Sequence, residues 1–173
     1  MTVPDVGLSV VASEQDGVPV LVATGELESV GAPVLRSAVI DALAAGADGL
    51  VIDLTDVTFV DSAGLGVLAG ALKRCRERGG ELALVATRPV FLRTLRVTGL
   101  ARVLPVFPAL SAAVAHVTDV TARATAPAGA ESASPGGGRP GATTLPRPRW
   151  ASRRPVLRRR PSRVGQSEMA RAS

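Results

Sequence analysis

The chain predicts an α/β domain of about 115 residues built on a mixed sheet. Three observations lead there. Strand-like and helix-like apolar patterns alternate from residue 8 to residue 117. Two β-branched runs near the start flank an Asp16-Gly17 pair suited to a hairpin turn. Charge also divides the 173 residues: 1–120 hold 9 Lys or Arg against 13 Asp or Glu, net −4, whereas 121–173 hold 11 Arg against two Glu, net +9. The expectation is a domain over 1–120, with four to five strands and about four helices, followed by a disordered Pro/Gly/Arg-rich tail over 121–173. In that tail 13 of 53 residues are Pro or Gly and large apolar residues are scattered, so little burial offsets the entropy of ordering it.

Taken in order, "LSVVA" (8–12) and "VPVLVAT" (18–24) read as the antiparallel pair. Leu35, Val39, Ala42 and Leu43 recur at helical spacing up to Gly46, a helix stop. The continuous apolar "LVIDLT" (50–55) is a buried strand. Leu65, Leu68, Ala69 and Leu72 form the stripe of a second helix, with Lys73, Arg74, Arg76 and Arg78 at the C-terminal end that attracts cations, before Gly79 and Gly80. "ELALVAT" (81–87) is a strand. Thr87, ahead of Arg88-Pro89, is expected to cap a short helix carrying Phe91 and Leu95 and ending near Gly99. "RVLPVF" and "ALSAAVAHV" supply a last strand and a last helix.

Residues 1–10 lack a basic start followed by a long apolar stretch, and no apolar run approaches the ~20 residues of a membrane span. A single cysteine, Cys75, cannot form an internal disulfide. Both points favour a cytoplasmic protein without a membrane partner. Cys75 itself reads as a small, partly buried residue with no role.

The stretch "FVDSAGLG" (59–66) sets Ser62 where a strand gives way to a helix. The plain reading makes Ser62 the N-cap, with Asp61 just outside the helix. The glycines complicate it, since Gly64, Gly66 and Gly70 occupy a helix in which each costs ~1 kcal/mol relative to Ala. Either the helix packs closely on the sheet, or a bare surface lets another protein approach Ser62. Gly64 is expected on that partner-facing surface.

"TGELES", "VIDLTDVTFVDSAGLGVLAGALKRCRERGGELALVA" and "VFLRTLRVTGLARVLPVFPALSAAVA" together resemble the STAS domain of bacterial anti-sigma factor antagonists over roughly residues 6–118. The most specific element is Asp-Ser-x-Gly-Leu-Gly after an apolar strand, supported by Gly-Glu-Leu upstream and Gly-Gly downstream. Glu28 stands where the family often has Asp, and the Arg-rich tail departs from its short members. The resemblance implies that Ser62 is phosphorylated by a partner that is both anti-sigma factor and serine kinase. The unphosphorylated form binds that partner and frees the sigma factor, and a serine phosphatase restores it. Glu26, Asp61, Ser62, Ala63, Gly64, Leu65 and Gly66 are then the expected partner-binding residues, with no metal or other cofactor.

The chemistry suits a switch. Phosphoserine adds about −1.5 to −2 charge at pH 7, which a helix N-terminus accommodates. Beside Asp61 and near Asp56, that charge would oppose a partner surface fitted to a neutral hydroxyl.

Other functions fit the residues less well. "VDSAG" lacks the first glycine of a nucleophile elbow, where Val60 stands, and the only histidine, His116, falls in the last helix. Asp53, Asp56 and Asp61 have no second set of ligands. Catalysis is therefore not expected. The tail, with "RPRWASRRPVLRRRPSR", offers electrostatic binding of nucleic acid or of a membrane surface, or is an unselected extension. A third reading keeps the fold as a scaffolding module of stress-signalling or lipid-transport assemblies.

Overall fold

A computed structural model describes residues 7–126. The expected tail lies outside the described residues from position 127 onward. Strands β1 (Ser9–Gln15), β2 (Val18–Leu27), β3 (Leu50–Val60), β4 (Leu82–Val85) and β5 (Val106–Phe107) form one sheet in sequence order. β1 and β2 are antiparallel, and the other three pairs are parallel. The hairpin turn places Asp16 at φ 52° and Gly17 at φ 81°. Two consecutive positive φ values define the twist-matched turn that Asp-Gly favours.

Helices α1 (Ala32–Ala44), α2 (Ser62–Glu77) and α3 (Pro89–Val97) connect successive parallel strands, and α4 (Leu110–Thr125) follows β5. Parallel crossovers are right-handed, so three that step across the sheet in one direction place their helices on one face. The burial pattern agrees. Leu21, Leu50, Ile52, Leu82 and Leu84 pack with Leu35, Val39, Leu68 and Leu95 of α1–α3. Val20, Val51, Ala83 and Val85, the alternate strand residues, pack with Ala113, Val114 and Val117 of α4. The continuous apolar runs in β3 and β4 are those of strands covered on both sides.

The structure corrects several expected boundaries. β3 continues to Val60 and β2 to Leu27, with register shifts at Val22/Thr24 and Gly25/Glu26. At Gly25 (φ 107°) a Cβ would collide with the carbonyl oxygen of Gly7, so only glycine lets the chain pass there. Most of the expected strand over 102–107 is instead a 3-10 turn (Leu100–Arg102) and a loop, leaving a two-residue β5. Pro105, which cannot donate to a ladder, precedes that short edge. α3 begins at Pro89, so the cap position falls on Arg88, which makes no side-chain cap bond. Proline preset for the first helical position leaves Thr87 one residue too early. α4 runs on to Thr125, past residue 120.

Candidate functional site

α2 is capped by Asp61, not by Ser62. Asp61 has extended backbone (φ −104°, ψ −173°), and its Oδ1 accepts the Gly64 N–H at 2.9 Å. Its Oδ2 accepts both the N–H and the hydroxyl of Ser29, each at 3.2 Å. The Asp61 N–H in turn donates to the Leu27 carbonyl at 3.2 Å. One carboxylate thus closes the helix start and ties it to the loop after β2. The Gly64 N–H, foremost, then the Ser29 hydroxyl and the Ala63 and Ser29 N–H groups, hold the Asp61 carboxyl below its ordinary range against the opposing effect of partial desolvation.

Ser62 consequently occupies the first helical position. It is exposed, and its hydroxyl makes no hydrogen bond among the described residues. The sequence expectation that Ser62 caps the helix fails because Asp61, one residue earlier and equally suited to the role, reaches the N–H three residues on. The side chain that a cap would have occupied is left available at the positive end of a 16-residue helix.

The glycines divide. Gly64 is buried, and a Cβ there would strike the Leu27 carbonyl oxygen and lie 2.7 Å from Leu27 Cγ and 3.1 Å from Val60 Cγ1. Its expected place on a partner-facing surface is therefore wrong, and close packing of α2 on β2 and β3 accounts for it. Gly66 is exposed with nothing within 4 Å of a Cβ, leaving a bare surface one turn from Ser62. At Gly70 a Cβ would meet only the mobile end of Arg74, 3.0 Å away.

Of the other expected contact residues, Leu65 is buried, while Ala63 and Glu26 are half-buried. Leu65 and Gly64 therefore support the surface from beneath. Glu26 reaches the same end of the sheet through the register shift that pairs it with Phe59. Sequence reasoning missed Ser29, Val30 and Phe59. Ser29 binds Asp61, whereas Val30 and Phe59 are 71% and 52% exposed beside it. Val30 and Phe59 are large apolar side chains exposed in the segments on which Ser29 and Asp61 lie. Strand alternation gave no signal for Phe59: it puts Phe59 on the same face as the buried Val57, and only the packing at the end of β3 leaves it exposed.

Asp53 accepts the Thr55 N–H at 2.9 Å and the Thr55 hydroxyl at 2.6 Å, a local turn at the bulge in β3. Among the described residues no three His, Cys, Asp or Glu side chains are grouped to hold a metal ion. His116 lies on α4, behind the sheet from α2, with its ring 5.1 Å from that of Phe107. It is not placed to activate Ser62. Burial pushes the Cys75 thiol up to about 12, which makes it an unreactive core atom. No helix among the described residues is long and apolar enough to cross a membrane.

Comparison with known proteins bears on this arrangement directly. The family model for the STAS domain matches residues 9–113. An anti-sigma-B factor antagonist of Bacillus subtilis is 41% identical over 76 residues, covering 44% of this chain and 69% of the relative. The anti-sigma-B factor antagonist of Listeria monocytogenes is 32% identical over 104 residues, 59% of this chain and 89% of its own. The crystal structure of an anti-sigma factor antagonist from Mycobacterium paratuberculosis superposes with a TM-score of 0.61 at 33% identity, covering 69% of this chain and all of that one. With its sheet, helices and more than half of its length matched, the chain belongs to the STAS domain family.

Proposed function

We propose that the protein is an anti-sigma factor antagonist whose Ser62 is a phosphoswitch. In this reading the unphosphorylated form binds an anti-sigma factor that is also a serine kinase, in the cytoplasm, and so releases a sigma factor. The kinase transfers the γ-phosphoryl group of ATP to Ser62 Oγ, which loses its proton, and ADP departs. A serine phosphatase hydrolyses the ester and restores binding. The observation that carries the reading is the division of labour at the helix start: Asp61 caps, and the Ser62 hydroxyl stands exposed and unbonded among the described residues. The names of the relatives point the same way.

Phosphorylation at this position leaves the fold standing, because the cap belongs to another residue and the helix dipole favours the added charge. The surface changes instead. A dianion at Ser62, beside the Asp61 carboxylate, turns contact with a neutral hydroxyl into one that must desolvate charge. The test is capture of partners from native cell extract by wild type, Ser62→Ala and Ser62→Asp, with phosphopeptide mapping after incubation with the captured kinase and ATP. The expected result is one phosphate at Ser62, undiminished capture by Ser62→Ala and reduced capture by Ser62→Asp. Phosphate at another residue, or equal capture by all three, sinks the proposal.

A further inference from the structure

At the opposite end of the sheet from Ser62, a groove of about 290 Å³ lies between the hairpin turn, the loop after α1 and the last turns of α4. Asp16 and Gly17, Asp48 and Gly49, and Thr121 and Thr125 stand on its three sides. β3, whose ten steps from Leu50 to Val60 cover about 33 Å at ~3.3 Å per residue, separates it from Ser62. Asp16 and Asp48 are exposed carboxylates with no ion pair among the described residues. Two acids on one concavity, unpaired among the described residues, suit an occupant that brings N–H donors and positive charge.

We infer that this groove is the docking site of the chain's own arginine-bearing segment, residues 147–160. Three observations select that occupant. α4 ends at Thr125, itself on the groove wall, so the rest of the chain starts at the groove's mouth. Residues 127–173 carry ten Arg against two Glu, opposite in sign to the rim. A random coil of 21 residues, the length of 127–147, has a root-mean-square reach of about 25 Å, enough to return to its starting point at a millimolar effective concentration. A guanidinium presents its donors in a planar fork that pairs with a carboxylate, which a lysine ammonium does not. Arg123, the basic residue of α4, lies about half a helical turn away from Thr121 and Thr125 and is not among the residues that line the groove. The docked segment leaves the Ser62 end open, so this contact stands or falls separately from the switch.

Trp150, the only tryptophan, lies inside the segment and reports on it. Acrylamide quenching of Trp150 emission in the full-length protein at low salt is expected to be about two-fold weaker than in Asp16→Asn/Asp48→Asn, as a docked segment shields the indole. Asn is well tolerated at the positive φ of residue 16, and circular dichroism verifies folding. Replacing Arg153, Arg154, Arg158 and Arg159 by Gln, outside the described residues, is expected to release Trp150 equally, and about 1 M salt to do the same. Equal quenching in every form overturns the inference. So does shielding that persists in Asp16→Asn/Asp48→Asn, which places the segment elsewhere, or shielding that grows with protein concentration, which makes the contact intermolecular.

Discussion

The two ends of α2 close in different ways. At the C-terminal end the Gly80 N–H donates to the Cys75 carbonyl at 2.9 Å and the Gly79 N–H to that of Arg76 at 3.0 Å, with Gly79 at φ 78°. This is the paired bonding of a Schellman stop. Arg76 grips Glu81 through two 3.3 Å bonds, and the Leu82 N–H donates to the same carboxylate. The N–H groups of Arg78, Gly79 and Gly80 and the Glu81 carboxylate are all bonded within the protein. At the N-terminal end Asp61 carries the whole load of capping, and the adjacent hydroxyl is spared. A helix end that over-satisfies itself is a joint, whereas one that leaves a nucleophilic oxygen exposed at its positive pole is available for chemistry.

The largest effects should come from the glycines that hold both ends against the sheet. A Cβ at Gly80 would run into the carbonyl of Asp48, and one at Gly64 into that of Leu27. Gly80→Ala and Gly64→Ala should each destabilise by about 1–3 kcal/mol through overpacking, read from urea unfolding. For Gly64→Ala this reverses the expectation from helix propensity alone. A neutral result would mean that β2 yields easily and that close packing does not account for the glycine.

Next in size is the joint itself. Glu81→Ala removes a nearly buried carboxylate and three bonds, and should cost about 1–2 kcal/mol in the same assay while leaving partner capture unchanged. Loss of capture would couple the two ends and spoil the contrast between them. At the exposed end, Gly66→Ala has open space for its methyl and should raise stability by up to ~1 kcal/mol. A bulkier Gly66→Leu should instead weaken partner capture, if the bare surface is what the partner meets.

The smallest effect is one of pH. The Asp61 carboxyl titrates below its ordinary value of 3.8 in the folded state. A depressed folded pKa contributes stability above the unfolded value, and that contribution disappears as pH falls through the folded one. The stability gap between wild type and Asp61→Asn should therefore be constant above about pH 5 and close progressively below pH 3.8. A gap that widened in acid would show that the carboxylate is not what Gly64 and Ser29 stabilise.

Much of the fold was legible because it follows from local rules. Alternation of apolar patterns set the order of strands and helices, Asp16-Gly17 set the hairpin, and Gly46 and Gly79-Gly80 ended their helices. The resemblance in "VDSAGLG" located the site to within a few residues. What the sequence could not decide was the assignment of roles inside that site. Asp61 and Ser62 are both good capping residues, and the choice between them depended on where β3 ends and on Ser29, 32 residues earlier in the chain, being near enough to bond Asp61. Gly64 and Gly66 are identical in sequence terms, yet one faces Leu27 and the other faces solvent, because only the docking of α2 on the sheet defines an inside. Local propensity specifies which element a residue joins. Its neighbours across the fold, which determine whether a hydroxyl is used up or left free, come from tertiary packing alone.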